Sequence, residues 1–314
     1  MDTRKIGKLD VSVIGLGCNN FGWRIDEAQT REVVHAALDA GINFFDTADT
    51  YGQTKSEELL GMALAGKRNQ AIIATKFGMQ VTLEKRGAKP EYIRQAVEDS
   101  LRRLKVETID LYQLHTPDPE TPIDDTMEAL GRLVEAGKVR EIGCSNFDVP
   151  RLQSARASVR EGGPVFVSVQ NEYSMMRRDP EAGVLEECRR QGARFLPYFP
   201  LASGVLSGKY SRGKHPAGTR VEKGGRYDRY LTPQSYDLID RAGSWAADHK
   251  HSLLDLAFAW LLGHEEVASV IAGATTVEQV KANGRAGMWR LTLEEHREVD
   301  MMLDDLGFRA PRPA

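Results

Sequence analysis

The feature that most constrains this chain is a rhythm. Short apolar runs centred on Ile14, Phe44, Ile72, Leu111, Ile142, Val167, Leu196 and Val270 alternate with stretches carrying a helical apolar repeat. A continuous apolar run of four to eight residues reads as a strand buried on both faces. Strands that alternate with helices pair in parallel through right-handed crossovers. Eight such units in 314 residues match the strand number and typical ~250-residue size of a closed (β/α)8 TIM barrel. Residues 1–314 therefore read as a single barrel domain. Arg4–Ile6 and Val11–Val13, around Gly7-Lys8-Leu9-Asp10, read as an N-terminal β-hairpin ahead of it. The competing doubly wound fold would carry a dinucleotide fingerprint after its first strand. Gly15-Leu16-Gly17 begins one, but position 20 is Asn20 where the third glycine belongs.

Local signals refine the helices. Pro90–Leu104 starts with Pro at its first turn and repeats apolar residues at Ile93, Val97, Leu101 and Leu104. Thr121 as cap, Pro122 at the first helical position and Asp124 and Asp125 behind it predict the next helix start. Asp148–Arg160 and Pro180–Gln191 are expected helices, the latter capped by Asp179 and closed by Gly192. The last strand is expected at Val267–Ile271, with helix from Val277 onward. Ser203 to about Thr232 reads as one long Gly- and Arg-rich loop.

Composition excludes several function classes. A net charge of −3 offers no basic surface for nucleic acid, and no stretch approaches the ~18 apolar residues of a membrane span. Cys18, Cys144 and Cys188 are odd in number and too widely spaced for a zinc or redox motif, which fits a cytoplasmic protein. The histidines other than His115 show no ligand spacing, so no metal is expected. Nothing in the sequence sets an oligomeric state.

In such a barrel the active site lies at the C-terminal strand ends. The residues there are Asp46, Lys76, His115, Ser145 with Asn146, Gln170 and Tyr198, with Tyr51 on the loop after Asp46. Each alone has a bland reading, as helix cap, surface charge or structural histidine. Together they gather polar chemistry on one rim. A phenol has a reference pKa near ~10, and a neighbouring ammonium lowers it. Lys76 can supply that ammonium, Asp46 can orient it, and His115 can donate to an oxygen where charge develops. This set moves protons but holds no electron source, so carbonyl reduction would need a hydride-carrying cofactor. A second enzyme reading makes Lys76 a Schiff-base nucleophile, which leaves Ser145, Asn146, Gln170 and Tyr198 unexplained.

Phe45-Asp46-Thr47-Ala48 with Tyr51-Gly52, Ile73-Ala74-Thr75-Lys76, Leu114-His115, Gly143-Cys144-Ser145-Asn146-Phe147, Gln170-Asn171-Glu172-Tyr173, Tyr198-Phe199-Pro200-Leu201 and Ser207-Gly208-Lys209-Tyr210 follow one another from the second strand into the long loop. In these segments the chain resembles the aldo-keto reductases, in the branch of bacterial members and potassium-channel beta subunits. The resemblance implies NADPH-dependent interconversion of a small carbonyl substrate and its alcohol, with NADH as the alternative cofactor. It makes Asp46, Tyr51, Lys76 and His115 the catalytic tetrad, with Tyr51 the general acid. It gives Ser145, Asn146 and Gln170 to the nicotinamide carboxamide and Tyr198 to the nicotinamide ring. Leu201, Ser203, Gly204 and Lys209 would meet the pyrophosphate. Gly273, Thr275, Gln279 and Asn283 would hold the adenosine phosphate.

Two departures bear on the cofactor. The basic pair that many members place around Ala272-Gly273-Ala274-Thr275 is absent, and a Glu often found before Asn283 is Ala282. Arg220 in the long loop is expected to supply the 2′-phosphate charge instead. Asn19, Trp23 and Phe77 are the expected substrate-lining residues, with Asn20 and the loop Gly78–Lys89 nearby. The non-enzymatic alternative is a nucleotide-sensing module of the same fold. His115, where channel subunits often carry Asn, favours an enzyme.

Overall fold

The computed structural model describes residues 1–213 and 229–311. Strands β1 (Thr3–Ile6) and β2 (Leu9–Ser12) form an antiparallel hairpin. Its turn contracts to Gly7-Lys8, because Gly7 takes the left-handed conformation that a two-residue turn needs and releases Leu9 and Asp10 to pair. Eight strands follow: β3 (Ile14–Gly17), β4 (Phe44–Asp46), β5 (Ile72–Phe77), β6 (Ile109–Leu114), β7 (Val139–Ser145), β8 (Phe166–Glu172), β9 (Arg194–Tyr198) and β10 (Val270–Gly273). They lie in the order β10-β3-β4-β5-β6-β7-β8-β9, parallel throughout. The seam between β9 and β10 closes through a bridge from Phe195 to Val267 and the Ala268 N–H bond to the Phe195 carbonyl. The result is a (β/α)8 barrel with the hairpin in front.

Around it run α1 (Glu27–Asp39), α2 (Lys55–Ala63), α3 (Pro90–Leu104), α4 (Ile123–Glu135), α5 (Val149–Ala157), α6 (Val184–Gln191), α7 (Pro233–Asp248), α8 (Leu253–Gly263), α9 (Val277–Ala286) and α10 (Leu293–Asp305). Four local expectations shift. The expected last strand splits: Val267 bridges β9, whereas Val270–Gly273 pairs with β3. Thr121 does not cap α4; its hydroxyl donates to Asp118 at 2.7 Å, and Pro122 takes the cap position. The expected Pro180–Gln191 helix is interrupted at Gly183, whose φ of 128° separates a 3-10 turn, Asp179–Ala182, from α6. The segment from Val277 onward is two helices, and the second is capped by Thr292.

The pleat sorts the strand side chains into two cores. Phe45, Ile73 and Phe77 face the helices, whereas Phe44, Ala74 and Leu111 face the barrel axis. Ile6, Leu9 and Val11 of the hairpin pack into the axial cluster and plug its lower end. Ile6→Ala is expected to cost about 2–5 kcal/mol by opening a cavity in that plug. Denaturant unfolding should show this loss with turnover at the opposite barrel end unchanged, and unaltered stability would contradict the plug.

Candidate active site

Alternation along each strand builds the site. Two residues beyond the apolar axial positions Phe44, Ala74 and Leu111 come Asp46, Lys76 and Gln113, on the same face one layer higher. Lys76 is fully buried. Its Nζ donates to Asp46 Oδ2 at 2.6 Å and to the Thr47 carbonyl at 2.9 Å, and reaches the Tyr51 hydroxyl at 3.5 Å. The other Asp46 oxygen accepts from Gln170 Nε2 at 2.9 Å and from Gln113 Nε2 at 3.3 Å. Burial alone would lower the Lys76 pKa, but the Asp46 carboxylate, followed by Tyr51, holds it above its ordinary value.

Tyr51 sits on a loop forced into place. The Thr47 and Asp49 amides extend the pairing along β5 to the Ala74 and Lys76 carbonyls. Immediately after Tyr51, the residues Gly52, Gln53 and Thr54 all have positive φ, at 58°, 56° and 76°. Left-handed backbone at a β-branched threonine is strained, and such strain clusters at functional sites. A Cβ on Gly52 would strike the Phe21 carbonyl, so only glycine fits there. The Lys76 ammonium pulls the Tyr51 phenol down as expected, but burial is larger and leaves its pKa raised overall. The phenol is thus held as a proton donor.

His115 lies across from Tyr51, with ring centroids 5.7 Å apart in an edge-on arrangement. Burial, with Lys76 adding to it, pushes its pKa down to about 3, so the imidazole is neutral. Among the described residues no group bonds its Nδ1. Behind the Tyr51 loop, Asp49 is pushed up to about 7 by burial and by Glu57, which is bonded to Thr75 and Arg103.

The expected cofactor residues fall into three groups. Ser145 donates to the Gln170 carbonyl at 2.6 Å, Asn146 donates to the His115 carbonyl at 2.9 Å, and the Tyr198 hydroxyl donates to Asn146 Oδ1 at 2.9 Å. This chain of bonds joins the ends of β6, β7, β8 and β9. After β9, Ala202, Ser203 and Gly204 turn left-handed in succession, following Leu201. The buried Ser203 hydroxyl has no partner among the described residues, and a Cβ on Gly204 would lie 3.3 Å from Lys209 Nζ. At the end of β10, Gln279 Oε1 accepts from the Thr275 amide at 2.8 Å and from its hydroxyl at 3.1 Å, and Asn283 lies buried one turn on. Gly273 approaches both Asn19 and Asn20. Arg220 lies outside the described residues.

Of the expected substrate residues, Trp23 is 59% exposed on the loop after β3. Asn19 stands against Gly273, toward the adenosine-side segment. Phe77 does not line the cavity. It follows Lys76 by one residue, so the pleat turns it outward, where it stacks on Tyr112 at 4.7 Å.

The sequence model described as the aldo/keto reductase family matches residues 13–304. The chain belongs to that family. It is 34% identical over 326 residues to "Aldo-keto reductase yakc [NADP(+)]" of Schizosaccharomyces pombe, across 98% of this chain and 94% of the relative. Among solved structures, it superposes on the glycerol dehydrogenase AKR11B4 from Gluconobacter oxydans with a TM-score of 0.86. That match is 32% identical and covers 100% of this chain and 98% of the other. The holo form of aldo-keto reductase AKR11C1 from Bacillus halodurans matches with a TM-score of 0.81 at 32% identity, over 99% and 98% of the two chains.

Sequence reasoning missed two parts of this aldo/keto reductase site. Gln113 was hidden inside an apolar strand, although its alternation with Leu111 and His115 marks it as axial. The Asp49–Glu57–Arg103 cluster joins residues far apart in sequence and leaves no local signal. The electrostatics of the site carry a pH consequence. His115 has a folded-state pKa of about 3, against ~6.5 for a free imidazole. It therefore stays neutral as pH rises from about 5 to about 8, and the stability its burial costs is felt only as pH falls from ~6.5 toward 3. NMR of the His115 ring should show no titration in the neutral range; a midpoint near 6.5 would contradict the buried, neutral assignment.

Proposed function

We propose that this family member is a reductase of aldehydes or ketones that works with NADP(H) and runs reversibly with the corresponding alcohols. The observation that carries the reading is the contact of the Tyr51 hydroxyl with an ammonium that Asp46 holds charged. When bound, NADPH supplies the hydride for the carbonyl carbon. Tyr51 gives its proton to the carbonyl oxygen, and the Lys76 ammonium stabilises the phenolate that this leaves. His115, neutral, donates a hydrogen bond to the same oxygen as its negative charge grows.

Residues of the barrel rim fit the nicotinamide nucleotide. Ser145, Asn146 and Gln170 present amides and a hydroxyl suited to a carboxamide, and Tyr198 offers a ring face beside Asn146. Ser203, whose buried hydroxyl has no partner among the described residues, and Lys209 against Gly204 suit a pyrophosphate. Leu201 and Gly204 shape that turn, and Gly273, Thr275, Gln279 and Asn283 lie at the adenosine end. NADPH is the preferred donor and NADH the alternative. The related yeast protein's name specifies NADP(+), and the related glycerol dehydrogenase is named for the alcohol direction.

A Schiff-base role for Lys76 needs a neutral amine free to attack. Three bonds and a raised pKa oppose that. Exposed Trp23, Met79 and Leu83 on the loops after β3 and β5 suit carbonyls with apolar or aromatic substituents. No helix among the described residues is long and apolar enough to cross a membrane, and the three buried free thiols fit a cytoplasmic location.

Tyr51→Phe is expected to lower the rate of aldehyde reduction by about 10²–10⁴-fold, the usual worth of a positioned general acid, with NADPH binding unchanged. Steady-state kinetics and a cofactor fluorescence titration measure both. Full activity in the variant would remove the proton-donor role. NADPH binding by the native protein without turnover of any carbonyl would instead favour the nucleotide-sensing module.

A further inference from the structure

The barrel interior holds a group that none of the expected tetrad or cofactor roles uses. Gln113 is fully buried on β6, in register with Lys76 on one side and Gly143 on the other. Its amide bonds Asp46 Oδ1, the oxygen that Gln170 also bonds. A carboxylate only accepts hydrogen bonds, so the Gln113 side chain must turn its NH₂ toward Asp46 and its carbonyl away. Among the described residues no group donates to that buried carbonyl oxygen. A buried acceptor without a donor is a cost that an aliphatic residue at this position would avoid. The N–H bond to Asp46 is what the glutamine provides in return.

The neighbouring strand is built to allow it. A Cβ on Gly143 would lie 3.3 Å from Gln113 Cγ and would strike the Ser168 hydroxyl. Glycine on β7 therefore leaves room for the Gln113 side chain, whose amide reaches the same oxygen as the Gln170 amide.

We propose that Gln113 is a positioning residue: it anchors Asp46 Oδ1 so that Oδ2 stays on the Lys76 ammonium. The proposal rests on the reading of Asp46, Lys76 and Tyr51 given above. Gln170 has a second task in that reading, at the nicotinamide carboxamide, and its grip on Asp46 is shared. Gln113 lies deeper in the barrel and has no other partner among the described residues, so its hold does not depend on what occupies the rim. Through Asp46 it keeps the ammonium aimed at the Tyr51 oxygen, where the phenolate forms.

Three variants test this, using the full chain with NADPH and benzaldehyde as the probe substrate. Gln113→Met keeps the length of the side chain and removes the donor. It is expected to lower kcat by about 10-fold or more, as loss of a hydrogen bond to a charged group would, with KM and the fluorescence-measured NADPH affinity unchanged. Gln113→Glu can donate to Asp46 only while protonated. It should approach wild-type kcat at low pH and lose activity as pH rises through the carboxyl range, well below the alkaline limb that ionisation of Tyr51 gives wild type and Gln113→Met. That loss is read within one folded protein, so it stands even where Gln113→Met lowers the melting temperature. Wild-type kcat in Gln113→Met, or equal losses at every pH in Gln113→Glu, would overturn the role of Gln113 while leaving the Tyr51 assignment intact. Full activity in the parallel Tyr51→Phe control would overturn both.

Discussion

A lysine and an aspartate paired inside a barrel are the interaction on which this site depends. Taking two charges out of water is expensive, and the pair persists only where further hydrogen bonds complete its shell. Here the shell is complete: Lys76 meets Asp46, the Thr47 carbonyl and the Tyr51 hydroxyl, and Asp46 meets two glutamine amides. Those groups come from four strands: Asp46, Thr47 and Tyr51 from β4 and the loop after it, Lys76 from β5, Gln113 from β6 and Gln170 from β8. The barrel brings them into one layer because parallel strands in register repeat the same inward-facing position around the axis. An open sheet would spread the same residues along a line.

The pair also explains why burial and catalysis do not conflict at Tyr51. Burial raises the phenol's pKa and keeps its proton in place, while the adjacent ammonium lowers the energy of the phenolate formed on transfer. The strained Gly52-Gln53-Thr54 turn holds the hydroxyl within reach of Lys76 rather than on the open surface. His115 is neutral because burial and the neighbouring Lys76 charge both oppose its protonation, whereas at Tyr51 burial outweighs the downward pull of the same charge. Asp49 behind the loop follows this logic from the other side, with burial and Glu57 favouring its neutral form near pH 7.

Much of this was legible in the sequence. The barrel strands are buried on both faces, so each appears as an uninterrupted apolar run, and the polar residue ending several of them marked the rim. Residue types separated only where three-dimensional direction mattered. Phe77 adjoins Lys76 in sequence but faces the opposite way, and proximity along the chain suggested a cavity role that the pleat denies. The expected Val267–Ile271 strand merged two segments that bond different neighbours, a distinction apolar character does not encode. Gly183 broke a helix that the Asp179 cap and the Gly192 stop both supported. Gln113 resembles a strand interruption until the partner of its amide is known, and that partner is 67 positions away.

The central claim is that Asp46 keeps Lys76 charged beside Tyr51 throughout the working pH range. The ¹⁵Nζ chemical shift of Lys76, assigned by comparison with a Lys76→Met variant, reads that charge directly. The account predicts an ammonium signal from about pH 6 to about pH 10 in the native protein, since the pKa lies above the ordinary lysine value. A neutral amine at pH 7, or a Lys76 midpoint near neutrality, would contradict it.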